Sequence, residues 1–148
     1  MKVTVDTNVL VYSVDSSRTL KQNAAIDLIQ RMARKQQPLV DQCLYEFLNA
    51  TTRKLSVPLA QAIAVVVGWT ANLDIASPTS KTLGLTFNLL QAHKLSVFDA
   101  RLLAVCDENS IDYLLTEDLQ DGGRYGRVTA INPFISTNDR QVNTLLPP

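Results

Sequence analysis

The chain has 148 residues, which is the length of one ordinary domain and is enough to bury an apolar core. Apolar residues make up 46% of it and charged residues 19%, a balance typical of a globular protein and not of a disordered one. Lys and Arg number 14, and so do Asp and Glu, so the net charge of zero removes the strongest indication of non-specific nucleic-acid binding.

The sequence carries no sign of a membrane or secreted protein. No apolar run approaches the roughly 20 residues of a membrane span, and Asp6 and Asn8 interrupt the apolar start where a secretion signal would continue. Cys43 and Cys106 form no CxxC pair, and the single His93 cannot complete a zinc site. We expect both cysteines to be core residues of a cytoplasmic protein, with a disulfide between them as the less favoured alternative.

Short strands and helices alternate along the first half of the chain. The predicted strands cover residues 2–5 and 39–40, and the predicted helices cover residues 20–34, 42–54 and 59–69. Pro58 is expected at the first position of the third helix. That helix is apolar almost all round, which favours burial on several sides or a partner interface.

The second half continues the alternation. Strands are predicted at residues 73–76, 111–116 and 128–131, helices at 77–93 and 96–108, and a turn at 121–123. Residues 136–148 are polar at first and form a tail that we expect to be loose in the monomer. The pattern predicts an α/β fold with a parallel sheet, in one domain over residues 1–135 followed by the tail 136–148.

Four acidic residues are the candidate functional group: Asp6, Glu46, Asp99 and Asp118. Asp6 ends the first predicted strand, and Asp118 follows the strand at residues 111–116. Parallel strands end at one edge of a sheet, where ligands bind in α/β proteins. Carboxylates gathered there repel one another and need a hard cation, so the pattern predicts a Mg²⁺ or Mn²⁺ site.

Three of these acids also have a purely structural interpretation. Asp6 can cap a helix that begins at Thr7, and Asp99 stands three residues after Ser96, the spacing of a capping box. Asp118 can cap a short turn. Glu46 lies in the middle of a helix where no cap is needed, so we expect it to face either a metal or Arg53.

Polar and basic residues near the acids extend this hypothesis. Thr7, Asn8 and Thr116 are of the right type to hydrogen-bond the carboxylates and orient them. Clustered basic residues could bind nucleic acid locally or simply be solvated. These clusters are Arg31 with Arg34 and Lys35, Arg53 with Lys54, and Arg124 with Arg127.

Taken in order, several segments resemble the successive motifs of the PIN domain. They are VDTNVLVY (residues 5–12), LYEF (44–47), FDA (98–100) and LLTEDLQDG (114–122). The segment VTAINPF (128–134) resembles the closing strand of PIN-domain toxins of the VapC type, so the resemblance spans essentially the whole chain. It implies an α/β/α sandwich and a Mg²⁺- or Mn²⁺-dependent ribonuclease, in which Asp6, Glu46, Asp99 and Asp118 match the acidic quartet.

The resemblance also implies partners. It implies a toxin–antitoxin pair in which a small antitoxin covers the active site, and a toxin homodimer. The helix around residues 62–67 and the surface near Trp69 are candidates for protein contacts, with an internal core helix as the alternative. Glu117 and Asp121 flank Asp118. Asp118 is preferred because it stands where the motif has its Asp, and Asp121 is second.

The leading hypothesis is therefore a metal-dependent endoribonuclease that hydrolyses RNA phosphodiester bonds, with Asp6 and Asp99 as the preferred direct ligands. One alternative is a phosphatase with Asp6 as the nucleophile. That chemistry usually needs a second acid two residues later, where this chain has Asn8. A second alternative is a catalytically silent binding module that keeps the fold.

Overall fold

The protein consists of six short strands and seven α-helices, in a computed structural model that describes residues 1–148. The strands are β1 (Val3–Val5), β2 (Pro38–Val40), β3 (Asp74–Ala76), β4 (Tyr113–Leu115), β5 (Arg124–Tyr125) and β6 (Val128–Ile131). The helices are α1 (Thr7–Tyr12), α2 (Thr19–Arg34), α3 (Asp41–Lys54), α4 (Leu59–Thr70), α5 (Thr82–Ala92), α6 (Val97–Glu108) and α7 (Asp139–Leu145).

The strands form a central, mostly parallel sheet with helices on both faces. The four-stranded part has the order β1-β4-β6-β5, in which β1, β4 and β6 are parallel and β5 is antiparallel to β6. Strands β2 and β3 form a parallel pair, and β2 lies beside β1. This arrangement confirms the predicted α/β fold.

The central strands are short and lie in the core of the protein. Val5, Leu114, Leu115 and Ala130 are completely buried. Continuous apolar strands are expected in a parallel sheet that has helices on both faces. Burial of each large aliphatic side chain contributes about 1.5–3 kcal/mol, so the strands that carry the candidate site belong to the core.

Several element ends differ from the predicted ones. Pro58 precedes the first helical residue of α4 and does not occupy the first position itself. Helix α5 begins at Thr82 and not at residue 77, because the Glu108 carboxylate accepts hydrogen bonds from the Thr79 N–H (2.7 Å) and the Thr82 hydroxyl (2.8 Å). Strand β5 was not predicted, since its two residues carry no period-two pattern.

Helix α4 is not an internal core helix, so that alternative is wrong. Ala62 is its one buried residue, whereas Leu59 is 58% exposed and Val67 60% exposed. The helix is held to α3 through the edge-on contact of Trp69 with Phe47, whose ring centroids lie 4.7 Å apart. Val65 and Val66 pack partly against the core, whereas Leu59, Ile63 and Val67 face outward.

The tail of the chain is packed, contrary to the expectation of a loose segment. Residues 139–145 form α7, and both Val142 and Leu146 are buried. Arg31 donates hydrogen bonds to the Asn143 side chain (2.6 Å) and to the Leu146 carbonyl (3.1 Å). The tail is mostly polar, so its two buried apolar residues were not recognised from the sequence. The division of the chain at residue 135 stays a prediction.

Both cysteines lie in the core as free thiols, as predicted. Burial raises the pKa of the Cys43 and Cys106 thiols well above their usual range, which makes both groups unreactive. None of the helices has the length and apolar character needed to cross a membrane.

Candidate active site

The register of the central strands places two polar residues side by side at the carboxyl edge of the sheet. Leu115 pairs with Val5 on one side and with Ile131 on the other. Just beyond, the Asp6 N–H donates to the Leu115 carbonyl (3.1 Å), and the Thr116 N–H donates to the Ile131 carbonyl (2.9 Å). The sheet hydrogen bonds therefore continue one residue past the strands and set the positions of Asp6 and Thr116.

All four predicted acids line one cavity at this edge, with a volume of about 390 Å³. Asp6 lies at the end of β1, Glu46 on α3, Asp99 in the first turn of α6, and Asp118 after β4. Residues about 110 positions apart in sequence are thus brought together. The structure gathers the whole predicted quartet, as expected from parallel strands that end at one edge.

Asp6 is the most deeply buried of the four and caps α1, as predicted. Its Oδ1 accepts the Val9 N–H at 3.2 Å and caps α1, and its Oδ2 accepts the Thr116 hydroxyl. Burial raises the Asp6 pKa to about 7, the Thr116 hydrogen bond opposes that rise, and the charge of Asp118 adds to it. A buried carboxylate with a neighbouring negative charge is a group that a cation would stabilise.

Glu46 is held by two polar side chains and forms no ion pair with Arg53, so that one of its two expected partners is wrong. Oε2 accepts the Thr7 hydroxyl at 2.6 Å, and Oε1 accepts the Gln42 amide at 2.7 Å. Gln42 also accepts a hydrogen bond from the Arg101 guanidinium at 2.7 Å. Sequence reasoning missed Gln42, although its position one helical turn before Glu46 is a signal for such a contact.

Asp99 has the least restrained carboxylate of the quartet. Its N–H donates to the Ser96 hydroxyl at 3.1 Å, which is one half of the predicted capping box. No side chain or backbone group donates to its carboxylate, so the reciprocal half of the box is not formed. The half-buried carboxylate therefore faces the cavity with its lone pairs free.

Asp118, and not its acidic neighbours, lines the cavity. Its carboxylate accepts a hydrogen bond from the Asn8 amide, and its N–H donates to the Thr116 hydroxyl at 3.1 Å. Burial raises the Asp118 pKa, with the charges of Glu117 and Asp99 adding to the effect.

The other two acids of this loop have structural partners. Glu117 forms an ion pair with Lys21 at 2.7 Å and accepts the Tyr12 hydroxyl. Asp121 accepts the Asn132 N–H and the Asn138 amide, both at 2.8 Å. The geometry therefore shows which of Glu117, Asp118 and Asp121 lines the cavity, which their spacing along the chain could not show.

Thr7, Asn8 and Thr116 make the contacts that the sequence indicated, since each donates to a different acid of the quartet. No cationic side chain does so, because the ion pairs of the protein involve other acids: Asp15, Asp27, Asp112 and Glu117. The quartet is thus positioned by neutral donors, and its charge is left uncompensated by the protein.

The donor set fits a hard cation in its chemistry but is not a closed cage. No group of three or more His, Cys, Asp and Glu side chains is arranged so that it could hold a metal ion. Mg²⁺ commonly binds through only one or two carboxylates and keeps several waters, so an open set of carboxylates suits it. The assignment of all four acids as metal ligands stays a prediction.

The three basic clusters differ in their surroundings. Arg31 pairs with Asp27 (2.6 Å) and Arg127 with Asp112 (3.0 Å), so each has a structural role. Arg53 and Lys54 line the cavity of the acids, and they are its only basic residues. This placement could not be read from sequence, because all three clusters look alike there.

A comparison with protein-family models and with curated proteins found no match. Three solved structures share the fold. The VapC20 toxin of Mycobacterium tuberculosis, described as cleaving the sarcin–ricin loop, has a TM-score of 0.58 and 16% identity, over 79% of this chain and 90% of that one. VapBC2 of Rickettsia felis, bound to promoter DNA, has a TM-score of 0.66 and 14% identity, over 89% and 98%.

A toxin–antitoxin complex from Klebsiella pneumoniae has a TM-score of 0.63 and 18% identity, over 90% of this chain and 98% of that one. The matches cover nearly the full length of each solved chain. The fold is therefore that of VapC-type PIN-domain toxins, which confirms the predicted resemblance at the level of the fold.

Proposed function

We propose that the protein is a Mg²⁺- or Mn²⁺-dependent endoribonuclease and the toxin of a type II toxin–antitoxin pair. One observation carries the proposal: four carboxylates line a single cavity at the carboxyl edge of the sheet, and no cationic side chain pairs with any of them. The shared fold adds support, since one similar structure is a toxin described as cleaving the sarcin–ricin loop.

Asp6 and Asp99 are the proposed direct ligands of the metal, with Glu46 and Asp118 completing the set. A bound divalent ion would lower the pKa of a water molecule and neutralise charge on the phosphodiester. The raised pKa values of Asp6 and Asp118 agree with this, because burial and neighbouring carboxylates disfavour their charged forms, which a cation would stabilise.

The protein side chains would orient the reacting groups. Thr116 and the Val9 N–H hold both oxygens of Asp6, and Asn8 holds Asp118, so these carboxylates cannot rotate freely. Asp99 has no protein donor and can accept a hydrogen bond from the attacking water. The water oxygen would form a bond to phosphorus while its proton passes to solvent by way of the Asp99 carboxylate, the ester P–O bond would break, and the leaving oxygen would take up a proton from solvent. Fixed orientation of this kind contributes to the rate.

The test is cleavage of transfer, ribosomal and messenger RNA with added Mg²⁺ by the wild type and Asp99→Asn. The variant should lose at least about 100-fold in rate, since loss of a metal ligand should exceed the 10- to 100-fold cost of losing a supporting residue. Asp74→Asn is the matched control, because Asp74 is exposed on β3 and lies outside the cavity. Equal cleavage by Asp99→Asn would contradict the site.

Calorimetric titration with Mn²⁺ separates the enzyme from a silent module of the same fold. The wild type should bind the ion and Asp99→Asn should bind it more weakly. No binding at millimolar concentration would favour the silent module.

An aspartyl phosphatase has less support from the geometry. Both oxygens of Asp6 already accept hydrogen bonds, and Asn8, at the position of the second acid, donates to Asp118. A phospho-aspartate trapped at Asp6 would favour the phosphatase instead.

We further propose a small antitoxin as the partner, since two of the similar structures are toxin–antitoxin complexes. An apolar groove of about 340 Å³ between α2 and α4 is available for it, lined by residues that include Ile26, Ile29, Val65 and Trp69. A homodimer could use α5, where Leu83 is 63% exposed and Phe87 54% exposed. Both partners fit a cytoplasmic enzyme that acts on RNA.

Two observations test the partners. A short neighbouring reading frame whose product co-purifies with this chain and blocks cleavage would support the antitoxin. Light scattering on the purified chain measures the dimer, and a monomer at micromolar concentration would contradict it.

A further inference from the structure

We infer that Arg53 and Lys54 form a phosphate-binding subsite, which holds the RNA backbone beside the bond that is cut. The inference rests on the proposed ribonuclease function and adds to it the residues that bind the substrate strand. Four features carry it: the shared cavity, the geometry of α3, the absence of acidic partners, and the charge of the substrate.

The subsite belongs to the same cavity as the acids. One face of α3 lines that cavity from end to end, through Gln42, Glu46, Asn49, Ala50 and Arg53. These residues follow the spacing of a single helical face. Lys54 adds a second positive charge beside Arg53, and no other basic residue lines the cavity.

Helix geometry separates the two ends of this face. Arg53 is seven residues after Glu46, and a rise of 1.5 Å per residue places it about 10 Å further along the axis. The structure contains no ion pair between Arg53 and Glu46. A strand whose scissile phosphate lies at the acids therefore presents a neighbouring phosphate to Arg53 and Lys54.

Neither cation has an acidic partner. Both side chains are exposed, whereas the paired basic residues of the protein are engaged with acids: Arg18, Lys21, Arg31 and Arg127. Because the acids of the cavity repel RNA and the net charge is zero, nearby free cations are needed to attract the backbone. A guanidinium also matches the geometry of a phosphate with two parallel hydrogen bonds.

A purely structural role makes a different prediction, which the chain itself allows to be tested. Cations are favoured in the last turn of any helix, because they interact with the helix dipole. Arg34 is the last residue of α2 and Lys35 is its C-cap; both are exposed, but they line no part of the acid cavity. They provide a control with the same residue types and the same charge change at the end of a helix, one residue further along than the pair on α3.

The test is the salt dependence of binding to a labelled single-stranded RNA, measured by fluorescence anisotropy in an Asp99→Asn background that prevents cleavage. Each lost phosphate contact should reduce the slope of log K against log salt by about 0.7. R53Q/K54Q should therefore flatten the slope by about 1.4 and raise Kd roughly 25-fold at 0.1 M salt. R34Q/K35Q should leave the slope unchanged.

Further variants distinguish the loss of positive charge from a defect in folding. The single changes R53Q and K54Q should each flatten the slope by about half as much, and R53K/K54R should keep it, since both charges remain. Thermal unfolding of every variant checks that α3 is intact.

The failures of the two proposals are distinguishable. If the wild type cleaves RNA but R53Q/K54Q keeps the parental slope, the subsite is overturned and the ribonuclease stands. An equal flattening in R34Q/K35Q would also overturn the subsite, since it would show a general charge effect. If the wild type neither binds nor cleaves RNA, the proposed function fails and the subsite fails with it.

Discussion

The hydroxyl of Thr7 donates a 2.6 Å hydrogen bond to Oε2 of Glu46 and so joins the first turn of α1 to the middle of α3. Thr7 directly follows Asp6, and its neighbour Asn8 donates to Asp118. Of the three consecutive residues after β1, Asp6 is itself one of the four acids, Thr7 contacts a second and Asn8 contacts a third. Small changes at this turn should therefore affect the site without unfolding the protein.

Thr7→Val tests that relationship. Valine keeps the shape of the side chain and removes the donor, so Glu46 loses one of its two orienting contacts. We expect RNA cleavage to fall by about 10- to 100-fold, the usual cost of losing a group that orients a metal ligand. Thr70→Val is the control, since Thr70 is exposed at the end of α4 and bonds only to the Val67 carbonyl. A variant as active as the control would contradict the orienting role.

The acid that completes the site can be identified by comparing two substitutions. Asp118→Asn should reduce cleavage by more than about 100-fold, because it removes a proposed ligand and not merely a supporting group. Asp121→Ala should cost about 0.5–1.5 kcal/mol of stability, the net contribution of an ordinary hydrogen bond, because water can reach the exposed Asn132 N–H, and it should spare cleavage. Rates and urea unfolding of both variants provide the measurement. Loss of cleavage in Asp121→Ala, with full cleavage by Asp118→Asn, would show that Asp121 completes the site instead.

Low pH should weaken the contact that Asp112 makes between the starts of β1 and β4, because it protonates the Asp112 carboxylate. The hydrogen bond from the Lys2 N–H (2.9 Å) and the contact with Arg127 (3.0 Å) lower the Asp112 pKa below its ordinary value of 3.8. The charged form is therefore favoured by folding: its contribution is complete above the unfolded pKa and is lost as the pH falls through the folded pKa.

Asp112→Asn should accordingly cost about 1 kcal/mol at pH 7, where a partly exposed pair contributes little more than that. The difference from the wild type should shrink as the pH falls through the lowered pKa of Asp112, since below it the carboxyl group is protonated in both states. Urea unfolding at pH 7 and over a series of acidic pH values measures it. A cost that stayed constant with pH would show that charge is not the cause.

The docked tail should contribute to stability through Leu146. This side chain is fully buried, so Leu146→Ala should destabilise the protein by about 2–5 kcal/mol through lost burial and the cavity left behind. Leu20→Ala, at a position that is 87% exposed, should change stability by no more than about 0.5 kcal/mol. Chemical denaturation compares the two. A negligible effect at Leu146 would mean that the tail contributes little to folding.

Most of the fold could be predicted, because it rests on local patterns. Continuous apolar runs predicted β1, β4 and β6, and helical spacing predicted α2, α3 and α6 close to their observed ends. Two of the failures, at the start of α5 and in the tail, share one physical cause, which is tertiary contact. Glu108 holds residues 77–81 as a turn, and Arg31 docks a tail whose own composition is polar.

The candidate site, like the fold, was predicted from the sequence only in part. The position of Asp6 after one strand and of Asp118 after another was enough to place both acids at one edge, since parallel strands end together. The partners of each acid were decided by register and helix packing. Glu117 and Asp118 are adjacent in sequence, yet one pairs with Lys21 and the other lines the cavity.

The sequence by itself determined that this is an α/β protein with carboxylates at its strand ends, because burial and chain direction act locally. Only the tertiary structure decided which acidic side chains are available to bind a cation and which basic side chains lie beside them. Asn8 and Asp118 are 110 residues apart, and their contact exists because β1 and β4 pair in one register. Spacing along the chain cannot encode that pairing, since it depends on how distant elements pack.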